Sequence, residues 1–467
     1  MTNRIPILIV SYYFPPCGGA GTQRFAKFAK FLPSFGYQPI IVTADTLTKS
    51  ASAPTDDLSL LNEVGKDAII YRVPNGAPAR LSIWDRLRWR AGFRTDHEHW
   101  VAQARPTVFE AARAHRVQAV ITTVSPYAVA ALGPIVRRAC DVPWLLDLRD
   151  PWALDGWRVY PSFLHARSDY SRMKMALHGA DTVIANTPEA RRAFIELIGV
   201  SADRACTIPN GFDPADFEDT ASSQTSRRTA RFRLVHVGTL HNPIKEQAVG
   251  WRAKMRMSLR RIDPTGRSGL YLFEALAALK HERPDLFAVL QVDLVGHVHH
   301  NHRPLARSLR IEGHLVEHGT LPHREALELM QCSDAVFVPL HGLSDGRRAL
   351  IVPGKLYEAI ASERYVLGCL PEGDAARLIR TSGCGAVCRP DDVTAVTRRL
   401  IELLSSWRDG RQPAGVRRSV LAPFTRQALT GQLATVLDAL ICGNRPVPLD
   451  DPWVELNRLS VFESSHL

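Results

Sequence analysis

The sequence predicts an α/β protein made of two doubly wound, Rossmann-like domains, each a parallel sheet covered by helices on both faces. Three observations carry this expectation. The chain has 467 residues, enough for two domains at roughly 100–200 residues each. Short, near-continuous runs of Val, Ile and Leu alternate with stretches of helical spacing, as buried parallel strands joined by crossover helices do. The alternation then restarts after a polar stretch, SSQTSRRTAR at 222–231, which reads as a linker.

The elements follow in order. IPILIVSYYF is the first strand; it ends in the turn PPCGGAGT, and from Arg24 to Phe35 the residues Phe25, Phe28, Ala29 and Leu32 recur at helical spacing. PIIVTA, DAIIYRV, VQAVITTVS, PWLLDLRD and DTVIANT read as strands two to six, with helical stretches such as Val108 to His115 and Tyr127 to Cys140 between them. In the second half FRLVHVGTL, VLQVDLVG, HLVEHGTL, DAVFVPL and RYVLGCL read as strands. Helices are expected at Leu270 to Leu279, Arg324 to Cys332, Leu356 to Ser362 and Arg426 to Ile441. The domains are expected at 1–220 and 221–442, the last helix being free to cross back to the first domain, with a Pro-rich tail at 443–467. Two such domains facing each other leave a cleft between the carboxyl edges of their sheets, where ligands of this fold class bind.

Composition narrows the function. Hydrophobic residues make up 45% and charged residues 22%, which excludes wholesale disorder, collagen and a polytopic membrane protein. The N-terminal apolar run, Ile5 to Val10, is interrupted by Pro6 and is too short for a signal-peptide core or a membrane span. A cytoplasmic protein is expected. The eight cysteines are scattered, and only Cys384 and Cys388 lie close in sequence, without partners at zinc-site spacing. Reduced, unlinked thiols are expected.

The 58 Lys and Arg exceed the 47 Asp and Glu, for a net charge of +11. Two stretches concentrate this excess. One, between Arg80 and Trp100, carries Trp84, Arg86, Arg88, Trp89, Arg90, Phe93 and Arg94. The other, His241 to Gly266, carries Lys245, Arg252, Lys254, Arg256, Arg260 and Arg261 against Glu246 and Asp263, with Trp251, Met255, Met257 and Leu259 among them. Arg and Trp together suit a membrane interface, at about 1 kcal/mol per basic residue near an anionic leaflet. A solvated basic loop is the alternative. No nucleic-acid motif accompanies the charge, so the expected partner is an anionic membrane surface, on the inner face of the cytoplasmic membrane, and not nucleic acid.

Four loops carry candidate chemistry. After the first strand, Cys17-Gly18-Gly19-Ala20-Gly21-Thr22-Gln23-Arg24 opens a helix, and small residues there let an anion approach free N–H groups. It is neither a dinucleotide fingerprint nor a Walker loop. The fifth strand ends in Asp147-Leu148-Arg149-Asp150-Pro151-Trp152. These charges form either a structural ion pair or a carboxylate facing an acceptor hydroxyl, Asp150 being nearest the loop. Ile208-Pro209-Asn210-Gly211-Phe212-Asp213 is a turn near the expected domain crossing. The fourth is Ile351-Val352-Pro353-Gly354-Lys355-Leu356-Tyr357-Glu358. Its helix start offers N–H groups to a sugar or phosphate, and Glu358 either accepts two hydrogen bonds from a ribose diol or serves as a dipole partner.

Together, SYYFPPCGGAGTQRFAKFAKFL, DLRDPW, VIANTPE, IPNGFD, VHVGTL, GRSGLYLFEALAAL and VPGKLYEAIAS, in this order over most of the chain, resemble family-4 retaining glycosyltransferases of the GT-B architecture (glycosyltransferase group 1 type). The resemblance implies an α/β, GT-B fold of two facing Rossmann-like domains with an interdomain cleft. It implies transfer of a sugar from a nucleotide diphosphate sugar to a glycan or lipid-linked acceptor, with retention and without a metal or other cofactor. The setting would be polysaccharide, lipopolysaccharide or glycolipid assembly. Glu358 matches the second acid of the family's Glu-x7-Glu motif and would bind the ribose. Gly18, Gly19, Gly21, Gly238, Thr239, Val352, Pro353 and Gly354 would line the donor. Arg267 and Lys355 would neutralise the diphosphate, and Asp150 would contact the attacking hydroxyl, with Arg24, Asp147 and Arg149 on the acceptor side. The chain departs from the pattern at Leu350, where the first acid is expected, at Leu272, where a lysine is usual, and in the insert 241–266. Two other readings keep the fold: a catalytically silent nucleotide-sugar-binding or scaffold protein, which Leu350 favours, and a nucleotide-sugar epimerase.

Overall fold

A computed structural model describes residues 4–17, 20–45, 58–65, 67–75, 83, 87, 97–218, 230–244, 258–259, 262–343, 346–413, 415–445, 449 and 451–464. The chain divides into two compact units. One takes in Met1–Asn210, Val249–Arg260 and Arg426–Asp450, and the other Gly211–Ala248, Arg261–Thr425 and Asp451–Leu467.

The first unit is built on β1 (Ile5–Ser11), β2 (Tyr37–Asp45), β3 (Ile69–Pro74), β4 (Ala119–Val124), β5 (Trp144–Leu148), β6 (Thr182–Ala185) and β7 (Ala205–Thr207). All pair in parallel, in the order β3-β2-β1-β4-β5-β6-β7. At the centre Ile9 stands opposite both Ile41 and Ile121. Every residue from Ile7 to Val10 is fully buried, so the run is apolar without alternation because both faces of the sheet are covered. One face packs against the helix Ala20–Phe31 through Phe25, Phe28 and Ala29, and against the helix Arg426–Ile441 through Leu429, Leu433 and Leu437. Each of those leucines contributes roughly 1.5–3 kcal/mol by leaving water. The seventh strand, Ala205–Thr207, has three residues, too few to show a period in the sequence.

The second unit holds β8 (Phe232–Val237), β9 (Ile262–Asp263), β10 (Leu290–Val295), β11 (Leu315–Gly319), β12 (Ala335–Pro339), β13 (Gly342–Leu343), β14 (Tyr365–Cys369) and β15 (Gly385–Cys388). Six form a parallel sheet in the order β11-β10-β8-β12-β14-β15, and β9 and β13 make a small antiparallel pair. Here too both faces are covered. Phe232 and Leu234 of β8 pack with Leu272 and Leu276 on one side, and Val235 and Val237 with Leu356 and Ile360 on the other.

Two boundaries differ from expectation. The first segment of the first unit ends at Asn210 and not at 220. Phe212 already belongs to the second, donating its N–H to the Phe424 carbonyl at 3.1 Å and packing edge-on against Phe217. Nor is 443–467 a tail throughout, because Pro452–Ser464 is a helix. Proline suits its first position, where an N–H would be unsatisfied anyway. Trp453 and Leu456 are fully buried, Trp453 lying edge-on to Phe424 at 5.0 Å. All eight cysteines are unlinked. Among the described residues no helix is long and apolar enough to cross a membrane.

Candidate functional site

In the first unit the candidate residues gather where β1 and β5 end. Arg24 and Asp147, expected on the acceptor side, are instead a structural pair in the interior. Both are 0% exposed. Arg24 Nη2 and Nε donate to Asp147 Oδ1 at 2.6 and 3.1 Å. The guanidinium also donates to the carbonyls of Ile208 (2.9 Å) and Pro209 (2.7 Å), and Thr123 Oγ1 donates to Asp147 Oδ2 at 2.9 Å. A pair buried and satisfied in this way offers nothing to a ligand. It ties the helix Ala20–Phe31 and β5 to the Ile208-Pro209-Asn210 turn.

Arg149 and Asp150 differ from that pair. Asp150 is half-buried in the loop after β5. Arg149 is 7% exposed, and its Nη2 donates to the Ser125 carbonyl while Nε and Nη1 are buried without a partner among the described residues. Burial lowers its pKa against the opposing pull of Asp150 and Asp147. The guanidinium packs on Gly21, where a Cβ would stand 2.1 Å from Nη1, so any larger residue there would push the end of the arginine side chain aside. The turn after Asp150 is anchored by Asp169, which accepts from Trp152 Nε1 at 3.1 Å and from the Tyr160 hydroxyl at 2.7 Å. Trp152 stacks on Tyr127 with ring centroids 4.8 Å apart. Asp169 and Tyr160 belong to no motif, and nothing in the sequence marks them. Gly18 and Gly19 lie outside the described residues.

In the second unit the site forms where β8 ends. Gly238 has φ +151°, and its N–H donates to the Val295 carbonyl at 2.8 Å. Gly296 comes so close that a Cβ on it would lie 2.3 Å from the Gly238 oxygen. This turn exposes Thr239 and leaves Gly238 beside Lys355, whose Cδ is 3.6 Å from where a Gly238 Cβ would stand. Arg267 ends the helical turn Pro264–Arg267, which Asp263 caps by accepting the Thr265 N–H at 3.1 Å. The Arg267 carbonyl accepts the His241 N–H at 3.3 Å.

His236, on β8, registers both cations. Burial is the larger cause of a pKa pushed down to about 4, and Lys355 and Arg267 add to it. Gly238 and Lys355 thus meet at one strand end, and Arg267, whose carbonyl holds the His241 N–H, acts on His236 through space. His236 Nδ1 lies 3.1 Å from the Phe337 carbonyl, which assigns the proton to Nδ1, and Nε2 is buried without a partner among the described residues. Sequence reasoning missed this residue, and the available signal was a polar side chain inside an apolar strand.

The helix Gly354–Ala361 starts after Pro353 with no side-chain cap on its N–H groups. Val352 is 3% exposed and packs in the core, so only its backbone can meet a ligand. Glu358, one turn in, has His323 Nε2 3.7 Å from its Oε1, and the same nitrogen is 3.8 Å from Asp216 Oδ2. Burial opposes a charge on His323, but the two carboxylates prevail and raise its pKa. Leu350 and Leu272 are 8% and 1% exposed, depths at which an unpaired charge would be costly. Of the two basic stretches, residues 80–82, 84–86, 88–96, 245–257 and 260–261 lie outside the described residues.

Residues 18–211 match the glycosyl transferase 4-like domain family. No curated protein matches the chain. Among solved structures, sucrose-phosphate synthase from Thermosynechococcus elongatus is similar with a TM-score of 0.65 at 14% identity, over 94% of this chain and 100% of that one. A glycosyltransferase from Rickettsia africae is similar with a TM-score of 0.53 at 13% identity, over 99% of this chain and 97% of that one. HepE from Anabaena, solved with UDP-glucose, is similar with a TM-score of 0.53 at 15% identity, over 99% and 100%. At these identities the likeness is one of fold, the two-domain α/β fold called GT-B.

Proposed function

From a chain whose residues 18–211 match the glycosyl transferase 4-like domain family, we propose a retaining glycosyltransferase. It moves a sugar from a nucleotide diphosphate sugar to a hydroxyl of a glycan or lipid-linked acceptor. The observation that supports this reading is Lys355 beside the Gly238 strand end, with Arg267 acting on the same His236. When a glycosidic bond to a diphosphate breaks, negative charge grows on the leaving phosphate, and fixed cations stabilise that state more than the ground state. Two such cations take the place of a divalent ion.

The remaining roles follow from position. The uncapped N–H groups at Gly354 meet phosphate or sugar oxygens. Glu358 accepts from the ribose diol. Asp150, at the loop after β5, contacts the attacking hydroxyl, while donor phosphate oxygens accept its proton, so no strong protein base is required. Gly18, Gly19 and Gly21 let the backbone approach the substrates closely. The basic, tryptophan-rich stretches suit an anionic membrane surface, in keeping with polysaccharide, lipopolysaccharide or glycolipid assembly. A second reading, a nucleotide-sugar-binding protein without turnover, is favoured by the buried Leu350 where an acid is expected.

A panel of nucleotide sugars separates the two. The likeness to HepE, solved with UDP-glucose, makes uridine donors the first to try. A transferase releases nucleoside diphosphate and yields a product whose anomeric configuration matches the donor's. A binding protein shows a raised thermal midpoint with the same compounds and no release. No midpoint shift with any nucleotide would contradict both.

A further inference from the structure

Among the described residues of the first unit, Arg149 is the cation with two buried nitrogens that lack hydrogen-bond partners. Its guanidinium makes one hydrogen bond among the described residues, to the Ser125 carbonyl, and its Nε and Nη1 are buried without partners. The carboxylate nearest in sequence on β5, Asp147, is already saturated by Arg24 and Thr123. Asp150 and Asp147 act on Arg149 through space, and burial still outweighs them. A buried cation with two unmade hydrogen bonds is destabilising by itself, and such a group persists where a ligand completes it.

The position of this group fits a ligand. Arg149 follows β5 at the carboxyl edge of the parallel sheet, where ligands of doubly wound domains bind. Its Nη1 rests on Gly21, in the first turn of the twelve-residue helix Ala20–Phe31. The positive end of that helix and the free guanidinium N–H groups therefore act on the same spot. The Tyr13 ring lies 5.7 Å from the guanidinium carbon. The absent side chain at Gly21 lets the guanidinium lie against the first turn of the helix, and a Cβ there would push it away.

We propose that Arg149 and the amino end of the helix Ala20–Phe31 form a seat for an oxyanion, and that this oxyanion is a phosphate or carboxylate carried by the acceptor. The seat is argued from the first unit alone. Its assignment to the acceptor rests on the proposed glycosyl transfer, in which Arg267 and Lys355 already serve the donor diphosphate. The acceptor class is thereby narrowed to acidic glycans or phosphorylated lipids, with the acidic group near the hydroxyl that Asp150 faces.

Thermal unfolding of the full chain tests this, with inorganic phosphate as the probe and chloride at equal ionic strength as the control, measured both without and with saturating uridine diphosphate to occupy the donor site. Phosphate is expected to raise the midpoint of the wild type. In Arg149→Gln the phosphate shift should vanish, while the ligand-free midpoint stays equal or rises, because a buried unpaired charge is gone. Gly21→Ala, which keeps the arginine but puts a methyl against Nη1, should lose the shift as well. An equal phosphate shift in all three proteins, or none in the wild type even without uridine diphosphate, overturns the seat. A fall in the ligand-free midpoint of Arg149→Gln, or its failure to fold, also overturns it, since the arginine would then serve the fold. If uridine diphosphate alone abolishes the Arg149-dependent phosphate shift, the oxyanion belongs to the donor and the acceptor assignment fails. A uridine diphosphate shift that persists while the phosphate shift is absent leaves the transferase reading standing and removes only this inference.

Discussion

Replacing Arg24 by methionine isolates what the buried ion pair does. The substitution keeps an unbranched, helix-favouring side chain of similar length but removes every N–H that reaches Asp147, Ile208 and Pro209. Asp147 then remains fully buried with Thr123 as its hydrogen-bond donor. Removing one partner of a buried pair costs about 3–5 kcal/mol, chiefly because the other charge is left uncompensated. For a unit of this size about 1 kcal/mol moves the midpoint by roughly 2–4 °C, so a fall of roughly 6–20 °C is expected in the transition of the first unit. Calorimetry or urea unfolding of the full chain reads it. The double replacement Arg24→Met with Asp147→Leu should recover more than half of the loss, because no charge is then stranded. A loss below about 1 kcal/mol in Arg24→Met, or a double variant less stable than the single one, would refute the structural role assigned to the pair.

Other consequences follow from the second unit. Trp453→Ala empties a fully buried site against Phe424, and urea unfolding should show a loss of about 3–5 kcal/mol. His236 has a folded pKa of about 4 against about 6.5 when unfolded. The unfolded state therefore takes up the proton first, and stability falls as pH drops from about 6.5 to about 4, by roughly 3 kcal/mol in all. Urea midpoints at neutral and acid pH should show that His236→Gln loses much of this acid sensitivity. His323 has the opposite sign: its pKa is raised when folded, so its contribution is complete below about 6.5 and is lost as pH rises through the folded value. His323→Gln should be less stable than the wild type at pH 5.5 and equal to it at pH 9, by the same unfolding measurement.

Where side chains follow a period, the sequence was a sufficient guide. Ile7 to Val10 reads as a strand covered on both faces because each residue is apolar, and each is buried. The helix Arg426–Ile441 has the residue limits expected from its pattern. β7 and the helix Pro452–Ser464 were not legible, since three residues carry no period and a proline start in a Pro-rich stretch looks like a loop.

The candidate site was legible where backbone chemistry dictates composition, as at Gly238 and Pro353-Gly354. It was not legible where charge can serve either ligand or fold. In DLRD, Asp147 and Arg149 stand two residues apart on the same sheet edge, yet one is saturated from within and the other has unmade hydrogen bonds. That difference is decided by Arg24, distant in sequence. His236 and His323 likewise draw their meaning from partners on other elements, Phe337 for one and Glu358 with Asp216 for the other.

The most direct test of the account is release of nucleoside diphosphate from nucleotide sugars by the wild type and by Glu358→Ala. The account predicts measurable release with at least one donor and a loss of 10-fold or more in kcat/KM in the variant, about 1.4 kcal/mol or more, most of it in KM because the ribose contact is made in the ground state as well as in the transition state. Equal kcat/KM in the two proteins, or no release by the wild type with any donor, would contradict it.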